Sequence, residues 1–346
     1  MKSLLVHIGT GKTGSTAIQH ALTTSGSVLR EKGVHYWGLN LEGCDAAARL
    51  HPWQEPSGTG AIQKLSVPDA IQQLRQVLDK ALTALPDSQL AIWSNESICE
   101  RPAVYLPVIK DASEAAGVSC TVVCYVRSHR AFVNSAYKQW GVKHKTYAGR
   151  VLGFRDWIRS RGQFLSYGRQ VAAWDAAFAD RLRLVNYDQV PDVVQHFAGF
   201  LPDPSLLTVP KRRMNVAPAQ SLLALYALHN NQLDAAVPPQ AVETLLQRYP
   251  LAGAKHEVTD LAALFPDGQA LSEAEELLKD DADLVNGLLR RHGQPELLSG
   301  NQGDDDPALT TNDVQSSLLS VLLQMLMLQE KRISQLEKQL AGGNPA

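Results

Sequence analysis

Hydrophobic positions in the first 200 residues form short continuous runs that alternate with stretches of helical spacing. The runs predict strands at Ser3–Ile8, Val34–Gly38, Gln89–Trp93, Ser119–Val126 and Arg181–Asn186. The spaced stretches predict helices at Ala17–Leu29, Asp69–Leu85, Pro102–Ala116, His129–Val142, Val171–Phe178 and Val190–Phe200. Repeated strand–helix units are typical of a parallel sheet covered by helices on both faces. We therefore expect a three-layer α/β fold that binds its ligand where strands end and helices begin.

The pattern changes after residue 220. Residues 221–300 predict a mostly helical extension, and residues 301–311 predict an acidic linker that contains the run NQGDDDP. A long helix is predicted over Asn312–Leu340, within a C-terminal segment at 312–346. This organisation leaves residues 1–220 as the ligand-binding core.

The long C-terminal helix carries a seven-residue repeat that is typical of coiled coils. Its members are Leu319, Leu322, Leu326, Gln329, Ile333, Leu336 and Leu340. Further apolar residues widen this surface in the N-terminal half, namely Leu318, Val321, Leu323, Met325, Met327 and Leu328. Such a surface is unfavourable in water, so we expect the helix to be covered. A homodimer, docking on its own domain, and a membrane or protein partner are the alternatives.

Composition and charge narrow the class of protein. The 346 residues are 45% hydrophobic and 20% charged, which is typical of a globular chain and excludes general disorder. Thirty-three Lys and Arg against 35 Asp and Glu give a net charge of −2, so we expect no nucleic-acid partner. We expect no transmembrane segment and a cytoplasmic location, because no apolar run is long enough for a bilayer or a signal peptide.

Cysteine and histidine placement indicates neither a disulfide framework nor a metal centre. The four cysteines are too few for a disulfide scaffold in a chain of this length, and we expect them to pack in the core. The ten histidines are scattered, and none pairs with another at ligand spacing, so no metal is expected.

A glycine-rich loop, GTGKTGST at residues 9–16, connects the first predicted strand to the first predicted helix. Glycines let backbone amides turn toward one anion, and the helix N-terminus adds partial positive charge. The loop of nucleotide triphosphatases, GxxxxGK[ST], requires a lysine where this chain has Ser15, and here the lysine is Lys12. The displaced lysine disfavours ordinary ATP hydrolysis.

The order Lys-Thr-Gly-Ser-Thr after a strand resembles the 5′-phosphosulfate loop of sulfotransferases that use PAPS (3′-phosphoadenosine 5′-phosphosulfate). Bacterial members often carry His-Ile-Gly-x-x-Lys-Thr-Gly-Thr-Thr, and this chain has HIGTGKTGST from His7. It departs at Ser15, which keeps the hydroxyl, and at Gly11, where many members have proline. The resemblance implies a P-loop-like sulfotransferase fold and a loop that binds the 5′-phosphosulfate through Gly11, Lys12, Thr13, Gly14, Ser15 and Thr16.

A second segment resembles the 3′-phosphate element of the same family. The strand VVCYVR ends at Arg127, and Ser135 follows eight residues later. A guanidinium can donate two hydrogen bonds to a dianionic phosphate, and a hydroxyl can donate a third. Weaker similarities are Tyr187 and Asp188 after the fifth strand, and the basic run KRRMN with Arg212, Arg213 and Asn215. For the basic run, a solvated surface turn is the alternative.

The family transfers a sulfuryl group from PAPS to an acceptor hydroxyl or amine. Negative charge grows on the leaving phosphate oxygen, and Lys12 is the residue we expect to stabilise it. The acceptor must lose a proton, and Glu96, directly after the third strand, is the first candidate base. His51 is the second candidate. Tryptophans near residues 37–66 lead us to expect a glycan acceptor, although they are equally consistent with core packing.

Two other functions remain open. A nucleoside or small-molecule kinase would share the sheet and the anion loop, but it needs a lysine at the Ser15 position and a magnesium-binding acid such as Asp188. A non-catalytic nucleotide-binding interaction protein would use the C-terminal helix as its working part. The combination of Lys12, Arg127, Ser135 and Glu96 argues against an inactive scaffold.

Overall fold

The computed structural model describes residues 2–55, 62–208, 220–231, 234–237, 266–298 and 311–342. The chain divides into two compact units. The first contains residues 1–129, 166–216 and 278–299, and the second contains residues 130–165, 217–277 and 300–346. Arg212, Arg213, Asn215 and linker residues 301–310 lie outside the described residues.

The first unit is built on a five-stranded sheet with the order β2-β3-β1-β4-β5. The strands are β1 (Ser3–His7), β2 (Val34–Tyr36), β3 (Leu90–Ser94), β4 (Ser119–Val126) and β5 (Leu182–Asn186). Every neighbouring pair is parallel. All five C-terminal ends therefore lie along one edge of the sheet, where the sequence places the anion loop.

Helices cover both faces of this sheet. One layer contains α1 (Ser15–Thr24), α2 (Gly26–Glu31) and α9 (Val193–Ala198), whose apolar residues share a core with alternate strand positions such as Leu5 and Val123. The other contains α3 (Val67–Ala84), the short α4 (Ser97–Glu100), α5 (Pro102–Ala115) and α8 (Gly168–Phe178), with α12 (Lys279–Arg291) packed on α8. The predicted three-layer α/β fold is confirmed.

Several predicted elements differ in their bounds from the structure, and two of the differences affect the region around the first helix and the second strand. The single helix expected at Ala17–Leu29 is divided at Ser25, whose hydroxyl accepts a hydrogen bond from the Thr208 N–H at 3.1 Å. The strand expected at Val34–Gly38 ends at Tyr36, and Gly38 turns the chain with φ of 83°. The helix is divided where Ser25 makes a distant tertiary contact, and the strand ends shortly before a turn. Hydrophobic spacing in the sequence predicts neither feature.

The second unit is helical in its described residues. The helix α6 (His129–Ala136) enters it and continues as a π-helix at Tyr137–Lys143. The remaining helices are α7 (Phe154–Leu165), α10 (Gln220–Asn231), α11 (Gly268–Leu277) and α13 (Thr311–Gly342). The long C-terminal helix is thus present, and it packs against α10. Within the described ranges, no helix is both long enough and apolar enough to cross a bilayer.

Candidate functional site

The glycine-rich loop continues β1 along β4 before it turns into α1. The Ile8 N–H donates to the Val123 carbonyl at 2.9 Å, and the Thr10 N–H donates to the Tyr125 carbonyl at 3.2 Å. The chain then leaves the extended conformation, because Gly11, Lys12 and Gly14 have φ values of 60°, 57° and 78°. Successive backbone N–H groups in a turn of this kind before a helix can form a concave nest suited to an anion.

This nest contains hydrogen-bond donors that the described residues leave unused. The backbone N–H groups of Thr13, Gly14, Ser15 and Thr16 find no acceptor among those residues. The hydroxyls of Thr13 and Ser15 are also without a described partner, although the two residues are only 0% and 5% exposed. Buried polar groups are normally hydrogen-bonded, so this cluster fits an anionic ligand with several oxygens. It is the feature that the 5′-phosphosulfate prediction requires.

Gly14 is required where the loop meets the next layer. A Cβ atom at this position would lie 2.6 Å from Val193 Cγ1 and 3.4 Å from Tyr187 Cε2. The loop therefore lies directly against the start of α9 and the tyrosine that follows β5. A side chain at position 14 would push the loop away from both and open the nest.

Arg127 reaches the same edge of the sheet through Tyr187. Its guanidinium carbon lies 5.6 Å from the centre of the Tyr187 ring, and its Nε lies 3.3 Å from Asp188 Oδ1. Asp188 Oδ2 also accepts the Ser128 N–H at 2.7 Å, which fixes the carboxylate in place. Tyr187 thus lies next to both Gly14 and Arg127, so the two predicted phosphate-binding elements are adjacent to one ring.

A buried cluster supports the backbone at Arg127. The Tyr167 hydroxyl donates to the Arg127 carbonyl, and the His129 ring stacks on Tyr167 with centroids 4.6 Å apart. His129 Nε2 in turn contacts Asp281 at 2.8 Å. Burial pushes the pKa of Asp281 upward, but hydrogen bonds from His129 and the backbone N–H groups of Gly168 and Tyr167 outweigh it and hold this pKa below its usual range.

Sequence reasoning missed Asp281. It lies in the segment predicted only as a helical extension. In the structure, residues 278–299 of that segment belong to the first unit. Asp280 and Asp283 lie close to it in the sequence and make the run look like a solvated helix face, so no local signal distinguishes Asp281.

Glu96 lies beside the helix that carries the anion loop. Its Oε2 accepts a hydrogen bond at 3.1 Å from the Gln19 side chain, which also donates to the Ser94 carbonyl at 3.3 Å. Gln19 is one helical turn beyond Ser15, so Glu96 is close to the start of α1. Burial, followed by the negative charges of Glu42 and Glu96, raises the pKa of Tyr36. Glu96 is partly exposed just beyond the C-terminal end of β3.

His51, the second candidate base, contacts α3 and Trp53 rather than the helix that carries the anion loop. Its Nε2 contacts the Gln76 side chain of α3 at 3.2 Å, and its ring stacks on Trp53 at 6.0 Å. Neither described contact connects it to the loop. Trp37 and Trp53 are 3% and 4% exposed, so these rings pack inside the fold rather than presenting a face to a sugar.

His7 is a buried residue at the end of β1 that joins this strand to β3. Its Nδ1 contacts the Ser94 hydroxyl at 2.8 Å, and its ring lies edge-on to Tyr125 and Phe197. Burial lowers the pKa of His7 to about 3, so the ring is neutral at physiological pH. A neutral ring directly before the nest adds no charge to it, and we assign His7 a structural role.

The remaining predicted site residues are placed as follows. Ser135 is a half-buried residue of α6 within the second unit. Thr16 is exposed on the first turn of α1. Across the described residues, no group of three or more His, Cys, Asp or Glu side chains is placed to hold a metal ion. The expectation that no metal is needed stays a prediction.

Comparison with known proteins gave no family for this chain. No protein-family model matches it, and no curated protein matches it.

Proposed function

We propose that this protein is a sulfotransferase that moves a sulfuryl group from PAPS to an acceptor hydroxyl or amine. The observation that carries the proposal is the set of unused donors at the start of α1, four backbone N–H groups and the buried hydroxyls of Thr13 and Ser15. Arg127, which lies against the same Tyr187 ring, supplies a second, cationic anchor at the same edge of the sheet. Two separate anchors match a ligand with two separate phosphate groups.

The loop residues have distinct roles in this proposal. The N–H groups of residues 13–16 and the two hydroxyls hold the 5′-phosphate, and Arg127 holds the 3′-phosphate. Lys12 places its ammonium group near the bridging oxygen, where negative charge grows as the sulfuryl group leaves. Such preorganised donors stabilise the transition state without any reorganisation at the moment of reaction.

Glu96 is the proposed general base. Glu96 is half exposed at the C-terminal edge of the sheet and the one described hydrogen bond of its carboxylate comes from Gln19, so it is accessible to an acceptor proton. Glu42, the other carboxylate near Tyr36, accepts the backbone N–H groups of Leu39 and Asn40 at 3.0 and 2.6 Å. Because the Glu42 carboxylate is occupied by these hydrogen bonds in the turn after β2, Glu96 is the better candidate base. The acceptor class, a glycan or a small-molecule hydroxyl, stays a proposal from the sequence.

The kinase alternative is less well supported by the site. Asp188, its proposed magnesium ligand, already binds the Arg127 guanidinium and the Ser128 N–H. Ser15 occupies the position at which a triphosphatase loop has its lysine. A metal at Asp188 would have to displace the cation that the fold holds there.

Thermal unfolding with two nucleotides tests the proposal. Adenosine 3′,5′-bisphosphate is expected to raise the Tm of the full chain in the presence of a chelator, since binding to the folded state alone stabilises it. ATP with magnesium is expected to have a much smaller effect. A larger shift with ATP and magnesium, and none with the bisphosphate, would refute the proposed donor.

Transfer of label from PAPS to a panel of glycan and small-molecule acceptors tests the activity itself. Lys12→Ala is expected to lower the rate by ~10²–10³, the usual cost of losing one donor aimed at a developing charge. Lys32→Ala, which removes an exposed lysine at the end of α2, is the matched control and should be unchanged. Equal rates for the two variants would remove Lys12 from the mechanism.

A further inference from the structure

The long helix α13 has two apolar faces, and its own unit covers only one of them. Leu318 and Val321 are 8% and 1% exposed where the helix packs against α10. The second face is exposed and is called the seam below. Its members Leu319, Leu322, Leu326, Ile333 and Leu336 are 66%, 47%, 62%, 49% and 50% exposed.

Support from α10 is confined to the first half of the helix. Every side chain from Gln329 to Glu337 is exposed except that of Ser334, which is partly buried. In proteins most of a helix's stability comes from tertiary packing of its apolar face, and these turns have no such packing among the described residues. The described part of α13 therefore contains several turns that a further partner would stabilise by covering Ile333 and Leu336.

The spacing of the seam identifies the geometry of that partner. Leu319, Leu326 and Ile333 fall at heptad position a, and Leu322, Gln329 and Leu336 fall at position d. A repeat of seven keeps one stripe facing a second helix in a left-handed supercoil, here over ~32 Å from residue 319 to residue 340. Leucine at position d is compatible with two strands.

Charges beside the seam favour a parallel pair of identical helices. In a parallel coiled coil, position g of one helix faces position e of the next heptad in the other. Arg332 at position g then meets Glu337 at position e of the second copy, and the symmetry gives this contact twice. An antiparallel pair would instead bring e positions together, and both charged e residues, Glu330 and Glu337, are acidic.

Gln329 fixes the register of such a pair. In parallel and in register, its amide faces the same amide of the second copy, and the two can hydrogen-bond. Any shifted register places this amide against leucine, where a polar group without a partner is costly.

We infer that the seam of α13 is the interface of a parallel, two-stranded coiled coil between two copies of this chain. The helix uses one apolar face for α10 of its own unit and the other for its counterpart. This accounts for an apolar surface wider than a coiled coil alone requires.

Sedimentation of the full chain from 1 to 100 µM tests the interface. The wild type is expected to be dimeric in the upper part of this range. Ile333→Asp is expected to weaken the dimer at least 100-fold without lowering the Tm of the monomer, because Ile333 lies outside the α10 contact. Gln335→Asp adds the same charge at an exposed position off the seam and should dimerise normally. The inference is overturned if the wild-type chain stays monomeric or forms a higher oligomer. It is also overturned if the Ile333→Asp variant dimerises as well as the wild type.

Two further variants test the orientation. Arg332→Glu is expected to weaken the dimer about tenfold, and combining it with Glu337→Arg should restore it. Leu336→Cys should form a disulfide-linked dimer on mild oxidation, since the four native cysteines are buried. An antiparallel pair would separate the two introduced thiols by ~20 Å, far beyond disulfide reach. A dimer that neither recovers with the charge exchange nor cross-links overturns the parallel arrangement.

Discussion

Replacing Thr13 by valine is expected to make the ligand-free protein more stable and its nucleotide complex weaker. The Thr13 hydroxyl is fully buried and has no described partner. Valine has nearly the same shape, so the substitution removes the polar atom without opening a cavity. The opposite signs for stability and binding are characteristic of a group that is kept for a ligand rather than for the fold.

The magnitude follows from the missing hydrogen bond. A buried polar group without a partner costs ~1–3 kcal/mol, and Thr13→Val should recover much of this. At roughly 2–4 °C per kcal/mol for domains of 150–250 residues, Tm should rise by about 2–6 °C. In the complex the same hydroxyl would donate to a phosphate oxygen, and such charge-assisted bonds contribute ~1.5–3 kcal/mol. The Kd for adenosine 3′,5′-bisphosphate should therefore rise about 10–100-fold.

Thr10→Val is the matched control in the same loop. The Thr10 hydroxyl is buried as well, but it donates to the Tyr125 carbonyl at 3.1 Å. Valine there removes a bond that the fold already makes, so Tm should fall by the equivalent of ~1 kcal/mol. Scanning fluorimetry without ligand gives the stability of both variants, and titration calorimetry with the bisphosphate gives the affinity.

Comparing Thr13→Val with Thr10→Val tests whether the Thr13 hydroxyl lacks a partner in the ligand-free protein. If Thr13→Val lowers the Tm as Thr10→Val does, the Thr13 hydroxyl is satisfied in the ligand-free protein and the open nest is refuted. If Thr13→Val stabilises the protein but leaves bisphosphate affinity unchanged, the hydroxyl is unused by the ligand and the phosphate is bound elsewhere.

Three other outcomes are expected. Glu96→Gln should lower kcat by ~10²–10⁴ while His51→Gln stays within about threefold, and the reverse order in a PAPS transfer assay would make the histidine the base. His7 has a pKa of about 3 in the folded protein against ~6.5 in the unfolded chain, so its contribution to the free energy of unfolding is complete above pH 6.5 and falls by about 2 kcal/mol by pH 5. Urea titrations at several pH values should show this loss of stability, and His7→Gln should reduce its dependence on pH. Gly14→Ala places a methyl 2.6 Å from Val193 Cγ1 at a φ of 78°, so it should lower the Tm and bisphosphate affinity together, and an unchanged Tm would contradict that geometry.

Much of the fold could be predicted from the sequence because the strands are strongly patterned. In a parallel sheet buried on both faces, strands are continuous apolar runs, and Ser119–Val126 was predicted with the bounds that the structure has. The position of the anion loop follows from the same pattern, since it lies between β1 and α1. Helix boundaries were less predictable where a distant contact ends a helix, as at Ser25.

The arrangement around Arg127 could not have been predicted. Asp188 was predicted only as part of a weak similarity and as a candidate magnesium ligand of a kinase, not as a partner of Arg127. Its ion pair with Arg127 joins residues from two different strand ends. Asp281 reaches the same region from more than 100 residues farther along the chain, after the chain has passed through the second unit. Hydrophobic periodicity gives local structure, whereas these contacts depend on how β4, β5 and α12 pack.

The conformation of Lys12 connects the fold to the proposed chemistry. A non-glycine residue with φ near 57° costs about 1 kcal/mol or more, because its Cβ approaches the neighbouring carbonyl. Glycine would remove that cost, and the loop already has glycine at positions 9, 11 and 14. The turn alone therefore does not explain a lysine at this position. Residues 11, 12 and 14 have left-handed geometry, and in the proposed mechanism Lys12 adds a full positive charge to a nest whose other donors are neutral.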